Sequence, residues 1–503
     1  MRTGNVISLR DRLAFGPWSP PRLRPVLHLV GRMLLALSAA MLLPAVADLI
    51  VRNPDWRAFL LGSGLTFACG AGLTYLTRCR LTGGLSLRQA FVLTPLAWTA
   101  IALFGALPLY ISDYAQLRDS FTNAFFESMS GLTTTGSTVI VGLDAAPPGI
   151  LLWRALLQWL GGIGIVGVAI AILPALGVGG MQLFRTESSD RSEKVMPRVR
   201  EIAMALGLVY LGLTVICGIL YWLAGMTPFE ALVHALTTLS TGGFSTSDSS
   251  MGKFGLAAQW IGTAFMLAGG IPFVLYVRLL RGERDSLRNS QAQAYLGFLL
   301  VMSVGLTIWL VLSGRYGLEE AARLAAFNVV SVVTTTGYAT TDYSLWGNVA
   351  IGVFFGLTFI GGCTGSTAGG IKIFRFEVMF TVLRSYLRQL IYPKGVFRRM
   401  YAGRLLPEDV IVSVVVFFAF FFACYSAFTI LLMALDLDFL TSASAAVTVL
   451  ANVGPGLGPT IGPAGNFATV PDAAKWLLAF GMLLGRLELF TVLVLFLPQF
   501  WRG

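Results

Sequence analysis

The feature that most constrains this chain is a short Thr/Gly motif written four times. It appears as Thr133-Thr134-Thr135-Gly136, Leu239-Ser240-Thr241-Gly242-Gly243, Thr334-Thr335-Thr336-Gly337 and Ala451-Asn452-Val453-Gly454. Aligned on Gly136, Gly242, Gly337 and Gly454, the copies lie 106, 95 and 117 residues apart. That spacing is too even for accident and too long for a small stacked repeat. Each copy follows a short apolar segment flanked by two long ones. In the first unit, spans near 89–112 and 150–175 flank segment 120–133; in the second, 200–225 and 255–280 flank 228–239. In the third, 292–313 and 348–392 flank 320–333; in the fourth, 408–435 and 473–499 flank 440–450.

Composition says where such segments reside. The chain has 503 residues, of which 56% are hydrophobic and only 12% charged, against roughly 25% charged in a soluble protein. It is therefore expected to be a polytopic membrane protein. Crossing a bilayer takes about 20 apolar residues, so the long segments reach across and the short ones suit re-entrant half-helices. Two further spans, 26–50 and 58–77, precede the repeats and carry no such motif. The expected fold is all-α: a basic arm at 1–25, two extra transmembrane helices within 26–84, and pore repeats at 85–190, 191–289, 290–404 and 405–503. The repeats are expected to surround a pseudo-fourfold axis.

Net charge is +11, and its placement says more than its sum, because cytoplasmic loops retain Lys and Arg. With the alternation above, 26 of the 36 basic residues fall on one side, including Arg185, Arg191, Arg278, Arg281, Arg375, Arg384, Arg388 and Arg398. That predicts cytoplasmic termini, motifs opening outward, and no nucleic-acid surface. The five cysteines are scattered and odd in number, so neither a disulfide framework nor a metal cluster is written here. The first 32 residues carry no short apolar stretch ending in a cleavage site, so no cleavable leader is expected. His28 and His234 lie too far apart in topology to share a metal. Gly161-Gly162-Ile163-Gly164 and Gly177-Val178-Gly179-Gly180 lack a preceding strand and fit helix packing rather than nucleotide binding. No enzyme signature and no organic cofactor site emerge.

Backbone that leaves helical geometry at membrane depth must line protein or water, since unsatisfied carbonyls in lipid cost several kcal/mol each. Four such loops suit a pore whose carbonyls replace a cation's hydration shell. Glycine permits the backbone angles that turn carbonyls inward. A single Thr-Thr-Gly is also a plain helix cap or turn.

The four motifs, their order and the membrane pattern resemble the Trk/Ktr/HKT superfamily of cation transporters, and most of all its TrkH branch of bacterial potassium uptake proteins. The resemblance implies K⁺ as transported ion and a location in the bacterial inner membrane. It also implies filter ligands at Thr134, Thr135, Gly136, Ser240, Thr241, Gly242, Thr335, Thr336, Gly337, Asn452, Val453 and Gly454. Asn452 and Val453 depart from the Thr-Thr of the first and third loops, which puts simple fourfold coordination in question. The family pattern further implies a homodimer and a cytosolic, TrkA-like nucleotide-binding regulatory subunit. The basic loops at 181–200, 281–290 and 394–404 are the surface expected for that subunit or for anionic membrane lipid.

A second stretch, Gly361-Gly362-Cys363-Thr364-Gly365-Ser366-Thr367-Ala368-Gly369-Gly370, interrupts a long apolar run. Each glycine costs a helix near 1 kcal/mol relative to Ala, so the run is expected to break here. The resemblance makes this an intramembrane gate below the filter, with Lys372 close to the pore; the bland reading is tight helix packing through small residues. Arg486 lies about 20 Å along the last span, near the midplane. The resemblance makes it a pore-facing control residue; the alternative is an ion pair with a carboxylate such as Glu377, Glu488 being placed round the other side of the helix. Glu127 and Glu230 brace a loop or cap a helix. The expected activity is selective potassium uptake, gated by the loop and the cytosolic subunit; the alternative is potassium symport with protons or sodium.

Overall fold

The computed structural model describes residues 23–79, 85–171 and 195–502. Most of the basic arm, the glycine run at 177–180 and most of the basic loop at 181–200 fall outside the described residues. Among the described residues, seven helices are long and apolar enough to cross a membrane, or nine if two bent pairs each count as one span. Arg24–Ile50 and Trp56–Leu76 form the N-terminal hairpin. It is tied to the repeats by Asp48, whose Oδ1 accepts the Gly149 amide at 2.7 Å.

Four quadrants follow, each built round a short, largely buried half-helix: Phe121–Leu132, Pro228–Leu239, Leu318–Val333 and Phe439–Ala451. Three of the four start on a side-chain cap, which satisfies amides that a helix N-terminus leaves open. Ser120 accepts from the Asn123 amide, Thr227 and Glu230 form a reciprocal capping box, and Asp438 accepts from Thr441. The third starts after Gly317 with Glu319 and Glu320 in its first turn, where carboxylates favour the positive helix end. Nearly every residue in the later turns of these helices is buried. The long spans differ, presenting Leu208, Leu223, Leu300, Val301 and Ile430 outward, as lipid contact requires.

Two spans expected to be continuous are broken. The segment read as 255–280 is Leu256–Gly269 and Phe273–Leu280, bent by 91°, where Gly270, Ile271 and Pro272 leave the chain without a helical amide at Pro272. The segment read as 473–499 is Asp472–Arg486 followed by Leu489–Phe496, bent by 111°. Its elbow holds Glu488 at φ +62°, a left-handed conformation unusual outside glycine and held by the ion pair described below. The third-quadrant run breaks where its glycines cluster, into Asn348–Thr358 and Ile373–Ile391. A parallel bridge of Ile360 to Ile371 closes the intervening loop. A two-strand ribbon, Met400–Tyr401 with Arg404–Leu405, follows.

Candidate functional site

The four half-helices end in loops of matching hydrogen bonding. The amides of Thr135, Gly242, Thr336 and Val453 donate to the carbonyls of Ser130, Thr237, Ser331 and Thr448 at 2.8–2.9 Å. Just before them, Thr134, Thr241, Thr335 and Asn452 all have φ between +51° and +57°. This pattern corrects the register of the second loop by one residue. Ser240 corresponds to Thr133, Gly242 to Thr135, and Gly243, not Gly242, to Gly136.

With that register the loops close into a ring. Gly136, Gly243, Gly337 and Gly454 have φ of +84°, +78°, +79° and +115°, where a side chain is strained. A Cβ on Gly136 would press on the Gly242 carbonyl oxygen, one on Gly243 on that of Thr336, and one on Gly337 on that of Val453. A Cβ on Gly454 would lie 2.7 Å from the Thr135 carbonyl oxygen. Each glycine thus faces the preceding residue's carbonyl in the next loop, and the fourth loop returns to the first. Four carbonyl-bearing loops converge on one axis.

Buried side chains hold this ring. Glu127 accepts from Thr138 Oγ1 and the Val139 amide, both at 2.9 Å, and from Arg154 Nε at 2.7 Å. It is therefore a brace. Arg154 also donates to the Ser245 carbonyl at 3.2 Å and lies over the Phe244 ring, so one ion pair joins the first and second loops. In the second loop Gly242 stands where the first and third have threonine, and the Gln158 amide occupies the space a Cβ there would need. Its Nε2 donates to the Gly242 carbonyl at 2.6 Å and its Oε1 accepts the Phe244 amide at 3.1 Å. In the fourth loop Asn452 Nδ2 donates to Thr135 Oγ1 and to the Met482 carbonyl, each at 2.9 Å. The substituted quadrant therefore bonds directly to the first. Arg154 and Gln158 were missed from sequence, although polar residues inside an apolar span were a usable signal.

Residues 361–370 fold as a buried loop directly beneath the ring. The Cys363 amide donates to the Gly270 carbonyl at 3.0 Å and Thr367 Oγ1 to the Leu239 carbonyl at 3.0 Å. Gln291 Oε1 accepts the Thr364 amide, and the Ser366 hydroxyl donates to the Cys363 carbonyl at 2.6 Å. The Gly369 amide donates to Thr335 Oγ1 at 2.6 Å, while its Cβ position abuts the Ala451 carbonyl. Gly361, Gly362 and Gly365 lie at close backbone approaches or turns of the loop, Gly370 has φ +66°, and Ala368 is fully buried. The loop thus touches the second, third and fourth quadrants.

Below lies a cluster of charge. Arg486 ends its helix only 3% exposed, and its Nη1 donates to the Thr367 carbonyl at 2.9 Å. Lys372 Nζ reaches the carbonyls of Ala368 and Gly369. The expected alternative pairing of Arg486 with Glu377 does not occur: Glu377 accepts from Ser290 and Tyr401. Arg375, read from sequence as a cytoplasmic loop residue, is fully buried and pairs with Glu488 at 2.7 Å.

On the opposite side of the ring, the acids are structural. Asp248 accepts the Gly142 and Leu143 amides at 2.9 and 3.1 Å, and Asp144 accepts from Ser247 and Lys253 at 2.9 and 3.0 Å. Burial pushes the Asp144 carboxyl up, but the bonds from Lys253, Ser247 and the Asp248 amide outweigh it and hold it below its ordinary value.

These features define a class: a helical membrane protein of four quadrants whose half-helix loops meet in a carbonyl ring, with a buried loop packed against it. Residues 56–502 match the family model TrkH, described as a cation transport protein. The Trk system potassium uptake protein TrkI of Halomonas elongata is 50% identical over 484 residues, covering 96% of this chain and 97% of its own. The TrkH protein of Escherichia coli K12 is 38% identical over 490 residues, covering 95% and 99%. The crystal structure of the potassium transporter TrkH from Vibrio parahaemolyticus superposes with a TM-score of 0.88 at 36% identity, over 96% of this chain and 100% of that one. The chain belongs to the TrkH family of cation transport proteins.

Proposed function

We propose that the chain takes up K⁺ across the bacterial inner membrane through the carbonyl ring. The closed circuit of glycine against neighbouring carbonyl carries this reading: it points four sets of oxygens at one axis, the arrangement that replaces a cation's hydration shell. The ligating positions are Thr134, Thr135 and Gly136, Thr241, Gly242 and Gly243, Thr335, Thr336 and Gly337, and Asn452, Val453 and Gly454. The relatives named as potassium uptake proteins support K⁺ as the ion. Residues 361–370, with Lys372 and Arg486, form the barrier below the ring, and the bond from Gly369 to Thr335 supports the loop's acting on the ring. Both termini and the basic loops face the cytoplasm, in keeping with charge retention. The chain works as a homodimer with a cytosolic nucleotide-binding subunit, which docks on the basic loops beside anionic lipid.

The two bent spans also suit a symporter, and one measurement separates the readings. Purified protein in liposomes, with the regulatory subunit and its nucleotide, is placed under opposed K⁺ and Na⁺ gradients with and without a pH gradient. A reversal potential set by K⁺ and blind to pH is expected. A reversal that follows protons sinks the pore reading, and absence of cation flux sinks transport.

A further inference from the structure

We propose that the residue following each corner glycine sets the bore of the carbonyl ring, and that Tyr338 is the positioning residue through which the third loop keeps its preference for K⁺. The inference rests on the pore reading above and adds to it residues that touch no ion.

The residues after Gly136, Gly243, Gly337 and Gly454 are Ser137, Phe244, Tyr338 and Pro455, and each reaches back to the preceding quadrant. Ser137 Oγ donates to the Gly454 carbonyl of the fourth loop at 2.8 Å. The centre of the Phe244 ring lies 3.9 Å from Arg154 Cζ in the first quadrant. The Tyr338 hydroxyl meets those of Thr237 and Thr238 on the second half-helix, the latter at 3.3 Å. Pro455 completes the circuit, for a Cβ on Gly337 would lie 2.9 Å from its Cδ. The corner glycines face forward, to a carbonyl of the next loop, so the two circuits run in opposite senses and each loop is held from both sides. Tyr338 is fastened at both ends. Its carbonyl accepts from Ser331 Oγ at 2.7 Å, on the half-helix of its own quadrant. At the other end, Thr237 supplies the carbonyl that receives the Gly242 amide at 2.9 Å, so the phenol stands on a residue that shapes the second loop. The side chain between them is fully buried, and its flat ring has a fixed length. Preference for K⁺ depends on bore and on the number of oxygens within reach, and both follow from how far the loops stand from the axis. A rigid strut between two loops fixes that distance.

Tyr338→Phe removes one oxygen and strands no partner. Thr237 Oγ1 keeps the carbonyls of Val233 and His234, each at 3.2 Å, and Thr238 Oγ1 keeps the Tyr221 hydroxyl at 2.9 Å. The variant should therefore melt close to wild type while its K⁺/Na⁺ permeability ratio falls about fivefold, the equilibrium factor of one ordinary buried hydrogen bond. The ratio is read from reversal potentials of the complete complex in liposomes under opposed K⁺ and Na⁺ gradients, and it does not depend on how much of the protein is folded. Ser137→Ala, which removes the tie between the first and fourth loops, should lower the ratio as well. Tyr338→Phe with Thr237→Val should match Tyr338→Phe alone, because the two changes delete one shared contact. An unchanged ratio in either single variant overturns the proposal, whatever happens to its Tm, and leaves the pore reading standing. A further fall in the double variant overturns the claim that Tyr338 acts through Thr237. Absence of cation flux through the wild-type complex overturns the pore reading itself.

Discussion

The corrected register of the second loop can be tested by comparing Gly243→Ala with Gly242→Ala. At Gly243 the backbone is left-handed, φ +78°, and a methyl group would meet the Thr336 carbonyl oxygen and then the Gly337 carbonyl carbon at 3.3 Å. Both neighbours are backbone of the adjoining loop and cannot rotate away. The strained conformation alone costs on the order of 1–3 kcal/mol. If that strain is relieved by displacing the Thr336 carbonyl from the axis, ion preference changes by roughly 5- to 150-fold. At Gly242 the φ is ordinary and the obstacle is the Gln158 amide, a side chain that can shift. Gly242→Ala should therefore keep most K⁺ preference. The assay is the K⁺/Na⁺ reversal potential in liposomes, with size-exclusion profiles confirming folded protein. Retained preference in Gly243→Ala together with loss in Gly242→Ala would refute the register.

Other expectations follow from the braces. Glu127→Ala strands Arg154 in a dry interior and should cost about 3–5 kcal/mol, read as a lowered Tm; Glu127→Ala with Arg154→Met should cost less than the two singles added, and simple additivity would show the pair to be uncoupled. Asn452→Ala leaves the Met482 carbonyl and Thr135 hydroxyl without their donor, costing about 1–3 kcal/mol and reducing K⁺ preference; unchanged preference would show that the link between fourth and first loops is idle. Gly337→Ser should weaken K⁺ preference, because its Cβ faces the Val453 carbonyl; intact preference would count against Gly337 lining the ring. Asp144 titrates below its ordinary 3.8 when folded, so its contribution is present above the ordinary value and is lost as pH falls through the depressed one. Wild type and Asp144→Asn should differ in Tm near neutrality and converge in strong acid. With the Asp144 side chain 49% exposed, the difference should be about 1 kcal/mol or less, and a gap that persists in acid would mean the residue acts by shape.

Much of this architecture was legible because membrane depth leaves a chain few options. Span length separated full crossings from half-helices, and the short segments lie within about two residues of expectation. The break at 361–370 was legible from glycine density. The bend at Gly270-Ile271-Pro272 carried a similar signal but was masked by the apolar residues on either side. The second loop was misaligned because Gly242-Gly243 offers two glycines, and only backbone angles tell which one faces a neighbouring carbonyl. The elbow at Glu488 was hidden for a different reason. Its partner, Arg375, lies 113 residues away, and helical periodicity, which places Glu488 relative to Arg486, fails where the helix ends. Arg375 itself looked cytoplasmic because it precedes a run of basic residues that are exposed.

The ring of glycine against carbonyl also bears on how such a protein changes over generations. In a channel assembled from four identical subunits, one altered codon strikes every quadrant at once. Here the quadrants are separately encoded, so a lesion touches a quarter of the circumference. That freedom is visible in Gly242, Asn452 and Val453, each with its own supporting side chain or contact. It stops at Gly136, Gly243, Gly337 and Gly454, where each residue's room is set by its neighbour's oxygen. Gene duplication can thus release the sides of the ring to diverge while its four corners stay answerable to one another.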